Sequence, residues 1–246
     1  MRILLPPSET KRPGGTGAPL RLDRLALPSL AVARTEVLDA LVALSADPVA
    51  ARKVLKLSDR QAGDVEHNRM LRDAPTMAAV DRYTGVLFDA LDAASLDGRA
   101  RQWLGRHVLI NSAPLGPIGA LDEIPRYRLA AGTALPGIPP LRRHWASVTS
   151  AALGEGGFVL DLRSESYVAL GPIPDSTPSA YVRVVTPSRR ALNHFNKKAK
   201  GVLVRALAQA RPTVRSAGAL LHWAAEAGVA LRETSDAGVL ELVVEG

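Results

Sequence analysis

Arg2-Ile3-Leu4-Leu5 forms an apolar run that Pro6-Pro7 cuts off at once. Proline donates no ladder hydrogen bond and pushes the residue before it toward extended backbone. The run therefore reads as a short buried strand that opens the fold, which rules out an all-helical chain. Directly after it comes 7–17, a polar Gly/Pro-rich loop carrying Ser8, Glu9, Thr10 and Lys11. Loops just beyond strand ends are common ligand positions in α/β proteins.

Further strands are expected at 107–111 (HVLIN), 158–162 (FVLDL) and 181–186 (YVRVVT), with a return strand over 189–195 and two short strands at 229–232 and 239–244. From 29 to about 92 the chain reads as helical. Leu30, Arg34, Leu38, Leu41, Val42 and Ser45 share one mostly apolar stripe at a period of about 3.6. Asp47-Pro48 is an N-cap followed by proline at the first helical position, and Ser58 to Gln61 has capping-box spacing. A further helix is expected over 77–93, another over 142–153, and one over 214–227. The clearest helix carries Ala199, Val202, Leu203, Ala206, Leu207 and Ala210 on one face and ends at Pro212. The stretch 112–132, punctuated by Pro114, Gly116, Pro117, Gly119 and Pro125, is expected to be loop. Strands and helices alternate without a strict βαβ rhythm, so the expectation is a mixed α/β (α+β) fold in one compact domain over 1–246, not a doubly wound nucleotide fold.

With 246 residues, 47% hydrophobic and 22% charged, the chain can bury a full core. It contains no cysteine, which excludes disulfides, zinc–thiolate sites, iron–sulfur clusters and thiol catalysis. The five histidines are scattered without metal-ligand spacing, so no metal site and no cofactor are expected. The apolar start is too short for a signal-peptide core, and no stretch approaches the roughly 20 apolar residues that span a bilayer. A cytoplasmic protein without a membrane partner is expected. The net charge is +7, which favours polyanionic partners, although a chain rich in Ala, Arg, Gly and Pro gains arginine from GC-rich coding alone.

The most informative segment is HFNKKAKG at 194–201. Lysines in a first helical turn oppose the helix dipole, which prefers anions there. Lys197, Lys198 and Lys200, with Asn196 as N-cap, make sense if a phosphate or carboxylate docks at that helix start. Arg189, Arg190 and Arg205 would widen the positive zone. Ser8 and Lys11 in the first loop offer a hydroxyl and an ammonium, without P-loop spacing. Asp122, Tyr127 and Arg128 follow the Gly/Pro-rich stretch, and Ser164 and Glu165 follow the third strand. Glu165, Asp122 and Tyr127 are the candidates for acid–base work.

Six segments, taken together and in order, resemble the YaaA family of bacterial peroxide-stress proteins. They are MRILLPPSETKRPGG, LKLSDRQAG with Asn68 and Arg69 just after, RYTGVLFDAL from Arg82, LGPIGALDEIPRYRL, FVLDLRSESY and HFNKKAKG. The resemblance implies a compact mixed fold with a basic cleft and a helix-hairpin-helix-like element, DNA binding, and protection against oxidative damage. By position the hairpin lies near 47–72, with Lys53, Lys56, Arg60, Arg69 and Arg72 available to phosphates. The implied cleft residues are Ser8, Lys11, Tyr83, Tyr127, Arg128, Ser164, Glu165, Lys197, Lys198 and Lys200.

Two function classes follow. One is a nucleic-acid-binding protein of oxidative stress, its partner most simply DNA and its affinity carried by phosphate contacts. The other is an enzyme acting in the same cleft on a small phosphorylated or nucleobase-containing substrate. An open basic trough would favour the first and a closed pocket the second. The oligomeric state is left open.

Overall fold

In a computed structural model that describes residues 1–186 and 193–244, with backbone alone for Asn193 and His194, nine strands and ten α-helices alternate along the described chain. The strands are β1 (Arg2–Leu5), β2 (Met77–Ala78), β3 (Val108–Ser112), β4 (Gly116–Gly119), β5 (Glu123–Ile124), β6 (Val159–Asp161), β7 (Ser179–Val185), β8 (Leu231–Glu233) and β9 (Val239–Val243). The helices are α1 (Ala31–Ser45), α2 (Pro48–Val54), α3 (Asp64–Arg69), α4 (Ala79–Arg82), α5 (Val86–Leu91), α6 (Gly98–His107), α7 (Leu141–Gly154), α8 (Glu165–Val168), α9 (Asn193–Ala210) and α10 (Ala217–Glu226).

Seven strands form one sheet in the order β4-β3-β1-β6-β7-β9-β8, and β2 pairs with β5 in a small separate ribbon. The opening strand lies between β3 and β6, parallel to both, with Leu4 in register with Leu109 on one side and Asp161 on the other. Its Ile3, Leu4 and Leu5 are fully buried, as a strand covered on both faces requires. The run β3-β1-β6-β7-β9 is parallel throughout, and only β4 and β8 run antiparallel, at the two edges. The sheet is therefore more regular than the uneven spacing of strands along the chain predicts. Its crossovers are long: the connection from β1 to β3 carries α1 to α6.

Three expectations change. The stretch 112–132 holds β4 and β5, because Gly116 to Gly119 turns back to pair with β3 despite Pro117; proline is tolerated on that edge strand. The helix expected over 77–93 breaks into β2, α4 and α5 at Gly85, whose φ of +95° favours glycine. The return strand expected up to Phe195 is helical from Asn193 onward, while Arg189 and Arg190 lie outside the described residues.

Cap signals place their elements as read. The Asp47 carboxylate accepts the Val49 and Ala50 N–H groups at 2.9 and 3.1 Å. Ser58 and Gln61 close their capping box over a single 3-10 turn between α2 and α3. Arg34 lies on the buried stripe of α1, where its guanidinium reaches the carbonyls of Leu115, Ala26 and Pro117 at 2.7 to 2.8 Å. Helix α9 packs along α5, and Gly201 makes that approach possible. A Cβ there would lie 2.2 Å from the Leu87 carbonyl oxygen and 2.9 Å from the Ala90 Cβ.

Candidate functional site

Strand β1 sits where the parallel sheet reverses its winding, since the chain continues to β3 on one side and then crosses to β6 on the other. The loops leaving β1 and β6 thus part in opposite directions, and the crevice beyond their carboxyl ends is the standard ligand position in such sheets. A cavity of about 1030 Å³ opens there. Pro6 to Thr10 form one wall, Leu162 and Ser164 to Tyr167 another, and Thr84 to Phe88 with Asn196, Lys197 and Lys200 the third. Tyr127 and 129–132 complete it.

Each wall is held from behind. Two fully buried arginines do most of this. Arg82 donates to the carbonyls of Arg12 and Gly14 at 2.7 Å and to those of Ile124 and Pro75 at 3.2 Å, so it fixes the loop that leaves β1. Arg163 grips both carboxylate oxygens of Asp161 at 2.9 and 2.7 Å and donates to the Gly171 carbonyl, which fixes the loop that leaves β6. Asn68 does the same for the third loop: its amide donates to the Arg128 carbonyl and its oxygen accepts the Arg128 N–H, both at 2.8 Å.

One end of the cavity is a cluster of hydroxyls. Ser8 Oγ and Thr10 Oγ1 lie 3.2 Å apart, and Thr84 Oγ1 donates to Thr10 Oγ1 at 3.0 Å. Gly85 sits against them without a side chain, and a Cβ there would come within 3.3 Å of Ser8 Oγ. The aromatic part of the site is buried. Ser112 Oγ donates to Tyr127 Oη at 2.9 Å, and Tyr127 and Tyr83 hydroxyls share a 2.6 Å hydrogen bond. Burial pushes the phenols of Tyr83, Tyr127 and Tyr167 up, so all three stay protonated at neutral pH.

The other end belongs to the first turns of α9. Lys200 is buried, lines the cavity, and stands 5.5 Å from the centre of the Tyr181 ring. No hydrogen bond or ion pair holds its ammonium among the described residues. Desolvation lowers its pKa to about 8, only partly opposed by Asp161, whose carboxylate is already engaged by Arg163. One turn earlier on the same stripe, Asn196 Oδ1 is buried without a hydrogen-bond partner. Two unsatisfied polar groups facing one cavity form an arrangement that a ligand completes.

The residues singled out from the sequence divide accordingly. Ser8, Tyr127, Ser164, Glu165, Asn196, Lys197 and Lys200 line the cavity together. Asn196 lies inside the helix that begins at Asn193, not at its cap. Lys198 points away, into a separate apolar groove with Phe195 and Val202, because it falls on a different helical stripe from Asn196 and Lys200. Lys11 is buried behind the first loop, where its ammonium donates to the carbonyls of Ser8 and Glu9 at 2.9 and 3.3 Å and lies 4.1 Å over the Tyr127 ring. Tyr83 is buried beside it, and Arg128 pairs with Glu9 at 3.1 Å. Asp122 lies outside the cavity wall; its carboxylate accepts the N–H groups of Ala26 and Gly119, both at 2.8 Å. Arg205 is bound to the Leu91 and Asp92 carbonyls.

Lys53, Lys56, Arg60, Arg69 and Arg72 lie on and around α2 and α3, outside the cavity. Arg69 pairs with Glu66 and Arg72 with Asp39, whereas exposed Lys53, Lys56 and Arg60 have no ion pair among the described residues. Among the described residues, the charged side chains lining the cavity are Glu9, Glu165, Lys197 and Lys200, a balanced set. Among the described residues no group of three or more His, Asp or Glu could hold a metal ion, and no helix is long and apolar enough to cross a membrane. Sequence reading missed Arg82 as the staple of the first loop, Arg163 as that of the second, and Tyr167 and Tyr181 as walls. Tyr167 was visible inside FVLDLRSESY, but nothing in its neighbours signals burial.

Residues 1–228 match the model of a family described as peroxide stress protein YaaA. A UPF0246 protein of Corynebacterium glutamicum is 41% identical over 239 residues, covering 95% of each chain. A UPF0246 protein of Streptomyces coelicolor is 44% identical over 216 residues, covering 84% of this chain and 82% of its own. A more distant UPF0246 protein of Ruegeria pomeroyi is 29% identical over 184 residues, covering 66% of this chain and 70% of its own.

Proposed function

The chain belongs to the YaaA peroxide stress protein family, and from that premise we propose that it acts on a small phosphorylated or nucleobase-containing molecule held in the cavity beyond β1 and β6. The observation that carries this reading is the Lys200 ammonium, buried at that cavity with no ion pair among the described residues. An uncompensated buried charge is costly, and a ligand phosphate or carboxylate removes the cost. Lys197 at the rim adds attraction, and Asn196 adds an acceptor for a ligand N–H or O–H. The hydroxyls of Ser8, Thr10 and Thr84 suit the opposite, uncharged end of the ligand. Of the two described carboxylates lining the cavity, Glu9 pairs with Arg128, which leaves Glu165 for proton transfer. A cavity near 1030 Å³ whose described lining residues carry balanced charge suits a ligand of nucleotide size better than a duplex.

A second reading follows the family's naming for peroxide stress. The exposed Lys53, Lys56 and Arg60 around α2, without an ion pair among the described residues, suit phosphate contacts, so DNA binding through a helix-hairpin-helix-like surface, limiting oxidative damage, is the alternative. Mass spectrometry of the small molecules released on denaturing wild-type protein and a Lys200→Met variant separates the two. The first reading predicts an anionic compound enriched in wild type and depleted in the variant. The alternative predicts identical small-molecule profiles, together with duplex affinity that falls steeply with salt and weakens when Lys53, Lys56 and Arg60 are replaced.

A further inference from the structure

Buried cations in this chain follow a pattern. Arg34, Arg82 and Arg163 are each fully buried, and each is held by main-chain carbonyls or by a carboxylate. Lys11, also buried, has two carbonyls and a tyrosine face. Lys200 alone among these has no acceptor in the described structure, and of them it alone lines the cavity. Arginine would be the better residue for clamping an anion, because its planar fork bonds phosphate in two places and never loses its charge. What a lysine offers at the same point is a nitrogen that can become a neutral nucleophile.

We propose that Lys200 is a covalent catalytic residue that forms an imine with the carbonyl carbon of a phosphorylated aldehyde or ketone bound in the cavity. The inference rests on the anion-binding reading above and adds a reaction class to it. In the step, the Nζ lone pair attacks the carbonyl carbon and the C=O π pair moves to oxygen, which takes a proton. The carbinolamine then loses that oxygen as water as the nitrogen gives up its proton, so amine plus carbonyl yield imine plus water. The geometry supplies what such a lysine needs: a buried position beside the Tyr181 ring, and an Asp161 carboxylate that Arg163 already engages. Desolvation lowers the Lys200 pKa to about 8, which makes the neutral amine far more available near neutral pH than it is on an exposed lysine. Glu165, a carboxylate lining the same cavity, would pass the protons, and Lys197 at the rim is left to attract the phosphate.

Trapping tests this directly. Wild-type protein is incubated with limiting pyridoxal 5′-phosphate or with pyridoxal, reduced with borohydride and peptide-mapped, while inorganic phosphate binding is followed by calorimetry. Lys200 should carry the reduced adduct at least about tenfold above exposed Lys53, Lys56, Lys197 and Lys198, and more with the phosphorylated probe. A Lys200→Arg variant keeps the charge, so it should retain phosphate binding while losing the dominant adduct. Adducts distributed over the exposed lysines with Lys200 unmodified, while phosphate still binds, overturn the imine and leave the anion pocket standing. Selective Lys200 modification without phosphate dependence supports the imine and removes the anion pocket.

Discussion

Arg163 closes on Asp161 two residues before it, bonding both carboxylate oxygens from a fully buried position. The pair does two things behind the cavity wall. It turns the chain sharply out of β6 so that Ser164 to Tyr167 become a wall, and it takes up the carboxylate charge that would otherwise pair with Lys200.

Removing one member of a buried pair strands the other, at a cost of about 3–5 kcal/mol. Arg163→Ala is therefore expected to lower stability by that order in urea unfolding, and to raise the fraction of charged Lys200 at pH 8 because Asp161 is freed. A variant as stable as wild type would show that the loop after β6 is held by other contacts.

Gly201 offers a test of how α9 is seated. Gly201→Ala drives a Cβ into the Leu87 carbonyl, main-chain against main-chain, so α9 must move away from α5. Overpacking of this kind costs about 1–3 kcal/mol. The same variant is expected to weaken ligand binding, since Asn196 and Lys200 ride on the displaced helix. Unchanged stability by denaturant titration contradicts the close packing.

Lys11 gives a pH signature. Its pKa is lowered to about 7 from 10.5, first by burial and then by Arg128. Between those two values the unfolded chain binds more protons than the folded one, so this group's contribution to stability rises as pH goes up from 7 and levels off near 10.5. Thermal unfolding of wild type against Lys11→Met across that window should show the wild-type minus variant difference increasing with pH. A difference that falls with pH would mean that the cation–π contact with Tyr127 holds the amine charged.

Much of this architecture was legible in the sequence where the cause is local. Pro6-Pro7 marked the end of β1, Asp47 and Ser58 marked their caps, and the spacing of Ala199 to Ala210 marked α9. The resemblance to the YaaA family placed Ser8, Ser164 and Lys197 in one cleft, and all three line the same cavity. What stayed hidden depends on partners far along the chain. Asp122 reads as a free carboxylate until Ala26, far earlier in the chain, is seen to donate to it. Arg82 and Arg163 read as surface charges until their carbonyl and carboxylate partners surround them. The parallel sheet was obscured because a single crossover, from Leu5 to Val108, spends six helices before returning to the neighbouring strand. Lys198 shows the remaining gap: three neighbouring lysines look alike in sequence, and only the helical angle separates the two that face the cavity from the one that does not.

That angular difference gives the decisive test. Calorimetric titration of adenosine 5′-monophosphate into wild type, Lys198→Met and Lys200→Met compares two lysines of the same helix turn. Losing one charge-assisted contact costs about 1.5–3 kcal/mol, or roughly ten- to hundredfold in affinity. The predicted result is one bound equivalent in wild type, unchanged by Lys198→Met and weakened by that factor in Lys200→Met. Equal losses in both variants, or binding insensitive to either, would contradict an anion site inside the cavity.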